Sequence, residues 1–319
     1  MKRLLVFVLS CGFFVFDQIR RFCLRSIGKG IAGTCVVLQY HAIPGEQRAR
    51  FAKQLDILRR YATPVRADSR DALDMSLNYV AVTFDDGLSS FVENALPELE
   101  MRKIPTVVFV VVGRLGTVPA WSRHSSDTAW TSVPSTPSEE RMLTAEQLQM
   151  LDGRVLIGSH SLTHRMLAAL SPSELEQEIE GSRRQLEAIL GRKVTLFSFP
   201  YGAFAEHLLP YCAGYERIFT IEPILARLDA RGFVSGRVSV DPTDWGVEFR
   251  LKISGYYRWL PHAVAAKRAL FTTLRLRPGL LGLHSPGDKQ TARLARLKES
   301  TEIGSPGKLP DQNELDVER

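Results

Sequence analysis

Apolar positions along this chain fall into short blocks of two kinds. Residues 36–40, 80–84, 106–112 and 194–199 are nearly continuous apolar runs of strand length, rich in β-branched and aromatic side chains. Such runs predict strands buried on both faces. Shorter apolar runs at 155–157 and 218–221, and a mixed stretch at 233–238, predict further strands. Between them the spacing turns helical. Phe51, Leu55, Leu58 and Tyr61 share one face of a helix over 49–61, and a short helix over 93–102 contains an awkward Pro97. Thr144, with Gln147 three residues on, opens a helix over 144–151. Ser171 and Pro172 open a long helix that Gly191 ends. An arginine-rich helical region covers 249–276. Strands alternating with helices predict an α/β fold, a parallel sheet or barrel joined by right-handed crossovers.

Several apolar runs end in polar clusters, where a parallel barrel carries its chemistry. The run 80–84 delivers Asp85-Asp86-Gly87. Neighbouring residues on an extended chain point to opposite sides, so the two carboxylates do different work: one suits a metal, the other a proton. A plain Asp-Gly turn is the simpler reading of this stretch alone. The run 155–157 delivers His160-Ser161-Leu162-Thr163-His164, whose histidines share a face if the segment is a helical turn. Two imidazoles and one carboxylate leave an open position on a divalent ion, which acidifies water and polarises a carbonyl.

Thr83-Phe84-Asp85-Asp86-Gly87, His160-Ser161-Leu162-Thr163-His164 and Phe197-Ser198-Phe199-Pro200-Tyr201-Gly202 resemble, in order, the first three motifs of the polysaccharide deacetylases (carbohydrate esterase family 4, with the NodB homology domain). The resemblance covers roughly residues 34–275. It implies a distorted parallel (β/α) barrel, a single catalytic domain, and a metal-dependent hydrolase that removes acetyl groups from N-acetylated sugars. Carried over, Asp86, His160 and His164 hold one divalent ion, zinc by preference. Asp85 is the general base. The backbone N–H of Tyr201, after Pro200, meets the oxyanion. Ser161 and Thr163 brace the histidine segment.

Amide hydrolysis also needs an acid to protonate the leaving amine. The family supplies a histidine from a late strand, in a Leu-x-Leu-His motif. Leu281-Gly282-Leu283-His284 matches the letters but lies next to the polar tail. Leu38-Gln39-Tyr40-His41 is a close variant at the end of a convincing strand. In a closed barrel the first and last strands are neighbours, and the family members acting on poly-N-acetylglucosamine look permuted in this way. His41 is therefore taken as the acid, with His284 as the alternative; a histidine simply bonded to backbone is the plain reading of His41. One departure stands out. Ser198 occupies the place of the arginine that pairs with the base in the family, and Arg237 is the candidate substitute. Asp244-Trp245 resembles the fourth motif, which orients the acid or walls the pocket, although a surface loop explains the pair equally well.

Composition changes this picture little. The 319 residues, 45% apolar and 24% charged, support a sizeable core. The net charge of +6 is spread out, with no basic platform interleaved with aromatics, which argues against nucleic acid. Four cysteines without a Cys-x-x-Cys pair give neither a zinc framework nor a disulfide one. Residues 1–30 join Lys2 and Arg3 to an apolar stretch and then to interleaved Arg20, Arg21 and Arg25. This reads as an uncleaved membrane-associating segment, the alternatives being a signal peptide and a helix packed on the domain. It places the protein at a membrane or in the cell envelope, with the cytoplasmic face left open. Residues 31–277 form the catalytic domain, and 278–319 a polar tail expected to be disordered. Residues 113–140, rich in Ser, Thr and Pro, read as a long functional loop or insert. Trp121 and Trp130 in it either stack on sugar rings or pack the loop down. The expected partner is a glycan. The competing functions are hydrolysis of a small non-sugar amide and carbohydrate binding without turnover.

Overall fold

The structure is a computed structural model that describes residues 2–71, 73–74, 76–121, 140–151, 153, 155–229 and 232–266. Its strands are β1 (Cys35–Tyr40), β2 (Thr63–Pro64), β3 (Tyr79–Phe84), β4 (Thr106–Val110), β5 (Leu156–Ser159), β6 (Leu196–Ser198), β7 (Arg217–Phe219), β8 (Val234–Ser235) and β9 (Val238–Ser239). Every pairing is parallel, in the order β8-β7-β6-β5-β4-β3-β1-β9. The short β2 pairs with the start of β3, ahead of β4. The helices are α1 (Lys2–Ser26), α2 (Arg48–Tyr61), α3 (Leu96–Met101), α4 (Ala145–Met150), α5 (Pro172–Glu176), α6 (Ser182–Leu190) and α7 (Gly246–Ile253).

One short link decides the shape of this sheet. The two ends of the strand order, β8 and β9, are joined only by Gly236 and Arg237. Three peptide steps reach at most about 11 Å. A flat sheet with this strand order would hold its edges about 34 Å apart. The sheet therefore curls until its edges meet, which is the distorted barrel that the motifs implied. The mixed stretch at 233–238 does not form the single strand expected of it. Its two halves belong to opposite edges, and periodicity cannot register that switch.

Inside and outside follow from the two-residue period of a strand. Val36, Leu38 and Tyr40 of β1 and Val80, Val82 and Phe84 of β3 face outward, into one core with Phe51, Leu55 and Leu58 of α2. Cys35, Val37, Tyr79, Ala81, Val107, Phe109, Leu196 and Phe219 face inward and fill the barrel. Gly158 sits inside on β5 because the Phe109 ring occupies its side-chain space, with ring carbons 2.5 Å from where a Cβ would stand. Above this apolar layer the same inward register brings Gln39, Thr83 and Ser198, and then Asp85, to the C-terminal rim.

The helices differ from expectation where the backbone relaxes. The helix over 93–102 becomes a π turn (Phe91–Ala95) followed by α3, which puts Pro97 in a first turn where its missing N–H is harmless. The long helix after Ser171 is split by a second π turn (Gln177–Gly181), while its capping box and the left-handed Gly191 stop are present. The strand over 106–112 ends at Val110, and a 3-10 turn follows (Val112–Arg114). Of the region 249–276, α7 and a helical stretch at 260–266 are described; residues 267–276 and the tail lie outside the described residues. The N-terminal segment is one helix, α1, packed along α7 and the turns after it.

Arg237 enters the barrel from the closing link and is fully buried. Its five N–H groups find five acceptors. Nε donates to the Thr220 carbonyl, Nη1 to Thr83 Oγ1 and Asp85 Oδ1, and Nη2 to Asp85 Oδ2 and Ser198 Oγ. Phe109 and Phe219 lie 5.5 and 5.9 Å from the guanidinium carbon. Removing one partner of such a pair strands a buried charge. Arg237→Met is expected to destabilise the domain by ~3–5 kcal/mol, read from urea unfolding. Adding Asp85→Asn should restore part of that loss; a double variant no more stable than Arg237→Met would contradict the pairing.

Candidate active site

At the end of β3 the backbone still follows the ladder, since Asp85 N–H donates to the Tyr40 carbonyl at 2.9 Å. Asp85 thus points inward, buried beside Arg237. Its carboxylate accepts from Arg237 at 2.7 and 2.8 Å and from Gln39 Nε2 at 2.7 Å, with Ser198 Oγ at 3.4 Å. Burial alone would raise its pKa, but Arg237, helped by the nearby His160, holds it well below the usual carboxylate range. The arginine missing from the third motif is thus matched by one on the closing link. Ser198, in its place, accepts from that same arginine.

Asp86 leaves the ladder. Its φ of 70° and the 65° of Gly87 are left-handed, a turn that swings the second carboxylate away from the first. A side chain at Gly87 would also strike Val110, 2.7 Å from the Cβ position. His160 continues β5, with its N–H donating to the Val110 carbonyl. The next residues are not helical, contrary to the expected shared helical face. Ser161 (φ 69°) and His164 (φ 63°) are left-handed, and Ser161 Oγ accepts from His164 N–H at 3.0 Å. This tight loop, rather than helical spacing, turns both imidazoles toward Asp86.

Asp86 Oδ1 stands 3.4 Å from His164 Nε2 and 3.8 Å from His160 Nε2, and all three residues are buried. These spacings are long for hydrogen bonds but close to the ~3.3 Å edge of a tetrahedron of ligands around zinc. His160 Nδ1 is 2.8 Å from the Ser198 carbonyl, which fixes that nitrogen as an N–H donor and leaves Nε2 facing Asp86. Burial, with His160 close by, holds His164 well below the usual histidine range, so it is neutral. Two imidazoles and a carboxylate are a donor set that fits a divalent metal.

Around this cluster, Trp121 stacks on His164 (4.2 Å between centroids) and donates to Asp86 Oδ1 at 3.3 Å. Trp121 thus lies against the cluster, while Trp130 lies outside the described residues. Tyr201 meets His164 edge-on at 4.6 Å, following the buried Pro200 in a 3-10 turn, with a left-handed φ of 57°. His41 follows β1. Its Nδ1 is buried without a hydrogen-bond partner among the described residues, and it stands near both Asp85 and Asp86. β1 adjoins β9, so the early strand does occupy the place next to the closing one. His284 lies outside the described residues.

Asp244 and Trp245 make their described contacts with the helices that follow and precede the barrel strands. Asp244 pairs with Lys252 at 2.6 Å and lies 3.5 Å from Arg3, and Trp245 packs edge-on against Phe7. These contacts lie at the seam between α1 and α7, past the end of β9, where the alternative surface reading put them. Conversely, sequence reasoning passed over Gln39 and Glu178. Glu178, buried in the second π turn, accepts from Leu162 N–H at 3.1 Å, Thr163 N–H at 2.9 Å and the Thr163 hydroxyl. It clamps the histidine loop, as Ser161 does from within. Gln39 was legible as a polar residue in an apolar strand; Glu178, on a helix, carried no such signal.

Comparison with known proteins agrees with this arrangement. Residues 73–215 match the polysaccharide deacetylase family model, a span that holds Asp85, Asp86, His160, His164, Pro200 and Tyr201 but neither His41 nor Arg237. The Bacillus subtilis protein YxkH is 25% identical over 173 residues, 53% of this chain and 54% of that one, so the match spans about half of the relative's length. The structure of IcaB from Ammonifex degensii is similar over 71% of this chain and 97% of its own, with 25% identity and a TM-score of 0.54. The Bacillus cereus polysaccharide deacetylase BC0361, at 20% identity, shares the fold over 70% of this chain and 69% of its own, with a TM-score of 0.52. With three motifs gathered on one barrel rim, residues 73–215 carry a polysaccharide deacetylase domain, and the chain is similar to that family.

Proposed function

We propose that this protein is a metal-dependent hydrolase that removes N-acetyl groups from an N-acetylhexosamine-containing polysaccharide or lipid-linked glycan. The observation that carries this reading is the buried cluster of Asp86, His160 and His164 beside an Asp85 kept ionised by Arg237. Asp86, His160 and His164 would hold the ion, and their oxygen and nitrogen donors suit zinc. When bound, such an ion acidifies water and polarises an amide carbonyl.

The remaining work falls to the chain itself. Asp85 accepts the proton of the attacking water, its carboxylate held in one orientation by Arg237 and Gln39. A carboxylate held so low is a weak base and serves only a water already made acidic. The backbone N–H of Tyr201, on its left-handed turn, donates to the developing oxyanion. His41 protonates the departing amine, and its buried, unpartnered Nδ1 is consistent with a group whose partner arrives with the substrate.

Two measurements test this. Zinc retained after dialysis should be about one ion per chain in the wild type and in Asp85→Asn, and should fall sharply in His160→Ala and His164→Ala. Zinc retained equally by the histidine variants would remove the cluster as the metal site. The second is acetate release from N-acetylglucosamine oligomers by zinc-loaded protein. Asp85→Asn and His41→Ala are each expected to lower kcat by ~10²–10⁴-fold without loss of metal. Near wild-type turnover in His41→Ala would transfer the acid to His284. Absence of acetate from every oligomer would overturn the glycan reading in favour of a small amide or a binding role.

A further inference from the structure

Helix α1 is fastened to the domain along most of its length. Arg3 Nε donates to Glu248 at 3.0 Å, and Ser10 Oγ accepts from Trp259 Nε1 at 3.0 Å. Phe14 meets Tyr256 edge-on at 5.1 Å. Asp17, buried, accepts from the Tyr256 hydroxyl at 3.2 Å and lies 3.6 Å from Arg258. These contacts account for one side of the helix only.

The opposite side is the most apolar surface described. Eight of the eighteen large exposed hydrophobic side chains lie between Leu4 and Phe22, so this is one patch and not scatter. Leu5, Val8, Val15, Phe16, Ile19 and Phe22 recur at helical spacing, with Phe16 63% and Phe22 72% exposed. The stripe they form is about 27 Å long. No charge falls on it: Arg20 flanks it, and Asp17 is buried beneath. The helix as a whole carries Lys2, Arg3, Arg20, Arg21 and Arg25 against the single acid Asp17, which Arg20 and Arg21 already neutralise at 2.8 and 2.6 Å.

We infer that α1 lies in the plane of a lipid bilayer, with this stripe among the acyl chains and the exposed Arg20 and Arg25 at anionic headgroups. An apolar face bordered by basic residues is the pattern of an interfacial helix, and long arginine side chains reach back to the headgroups. A protein partner would be matched by polar groups around the stripe, whereas the flanks here carry basic charge. Spanning is disfavoured by Asp17, Arg20 and Arg21 within the helix and by the hydrogen bonds that tie its inner side to the domain. Among the described residues no helix is long and apolar enough to cross a membrane. The inference is independent of the proposed chemistry and places the whole domain at a membrane surface.

Vesicle flotation of the full chain tests it without reference to activity. Wild type should float with phosphatidylcholine–phosphatidylglycerol vesicles, and less with phosphatidylcholine alone. Phe16→Glu combined with Ile19→Glu should lower partitioning at least ~100-fold while leaving the melting temperature unchanged, since neither side chain supports the domain. Met101→Glu with Met150→Glu, exposed apolar residues elsewhere, should float like wild type. Arg20→Gln with Arg25→Gln should abolish the preference for anionic lipid. Wild type that does not float with either vesicle, or a Phe16→Glu, Ile19→Glu variant that floats normally, overturns the inference. Vesicle-bound protein that resists extraction by alkaline carbonate overturns the in-plane geometry. Lipid-independent self-association abolished by the same two glutamates would assign the stripe to a second copy of the chain instead.

Discussion

A buried charge must have a partner, and in this protein that need organises both the barrel and its rim. Asp85 sits where the inward register of β3 puts it, in a space too dry to tolerate an isolated carboxylate. Its cation comes from 152 residues further along the chain. Arg237 can reach it only because the sheet closes, and the link that closes the sheet is the one that carries Arg237. Thr83, Ser198 and the Thr220 carbonyl take the remaining guanidinium protons, so β3, β6 and the residue just after β7 meet on one side chain. Gln39 adds β1. The candidate base is thereby fixed by β1, β3, β6, the residue just after β7 and the closing link.

The neighbouring cluster is held by backbone conformation instead. Asp86, Ser161, His164 and Tyr201 are four of the five non-glycine residues with positive φ among those described. Each such residue costs of order 1–3 kcal/mol and persists only where its surroundings dictate it. Here the surroundings are specific: Ser161 and Glu178 tie down the histidine loop, and Trp121 covers His164. Strain gathered at one end of a barrel, around three metal-type ligands, is what separates this rim from an ordinary set of strand-end turns.

Much of this was legible in the sequence, for identifiable reasons. β1 and β3 are apolar on both faces and stand out over their full length. Asp85, Asp86, His160 and His164 are adjacent to such strands and belong to contiguous motifs. Arg237 was found only as the answer to a gap, the serine at position 198. What stayed hidden depends on contacts between distant segments. The division of 233–238 between two edges leaves the hydrophobic pattern intact. Glu178 looks like any helix-surface acid until the π turn buries it. Asp244-Trp245 had the letters of a motif, but its position past β9 directs it to α1. The helical reading of His160 to His164 failed because spacing cannot distinguish a helical turn from a loop with two left-handed residues.

The position of β1 in the sheet also has a bearing on how the chain is made. β1 emerges early and finds β3 within about 40 residues, yet its other neighbour, β9, lies about 200 residues away. At ribosomal rates that interval lasts roughly 10–40 s, during which the free edge of β1 is open to wrong pairing. Asp85 is synthesised early as well, and its counter-charge arrives with the same late segment. Until then the carboxylate resists burial and keeps the half-built interior wet. Closing the barrel over Asp85 is therefore favourable only once the residue that neutralises it has been made.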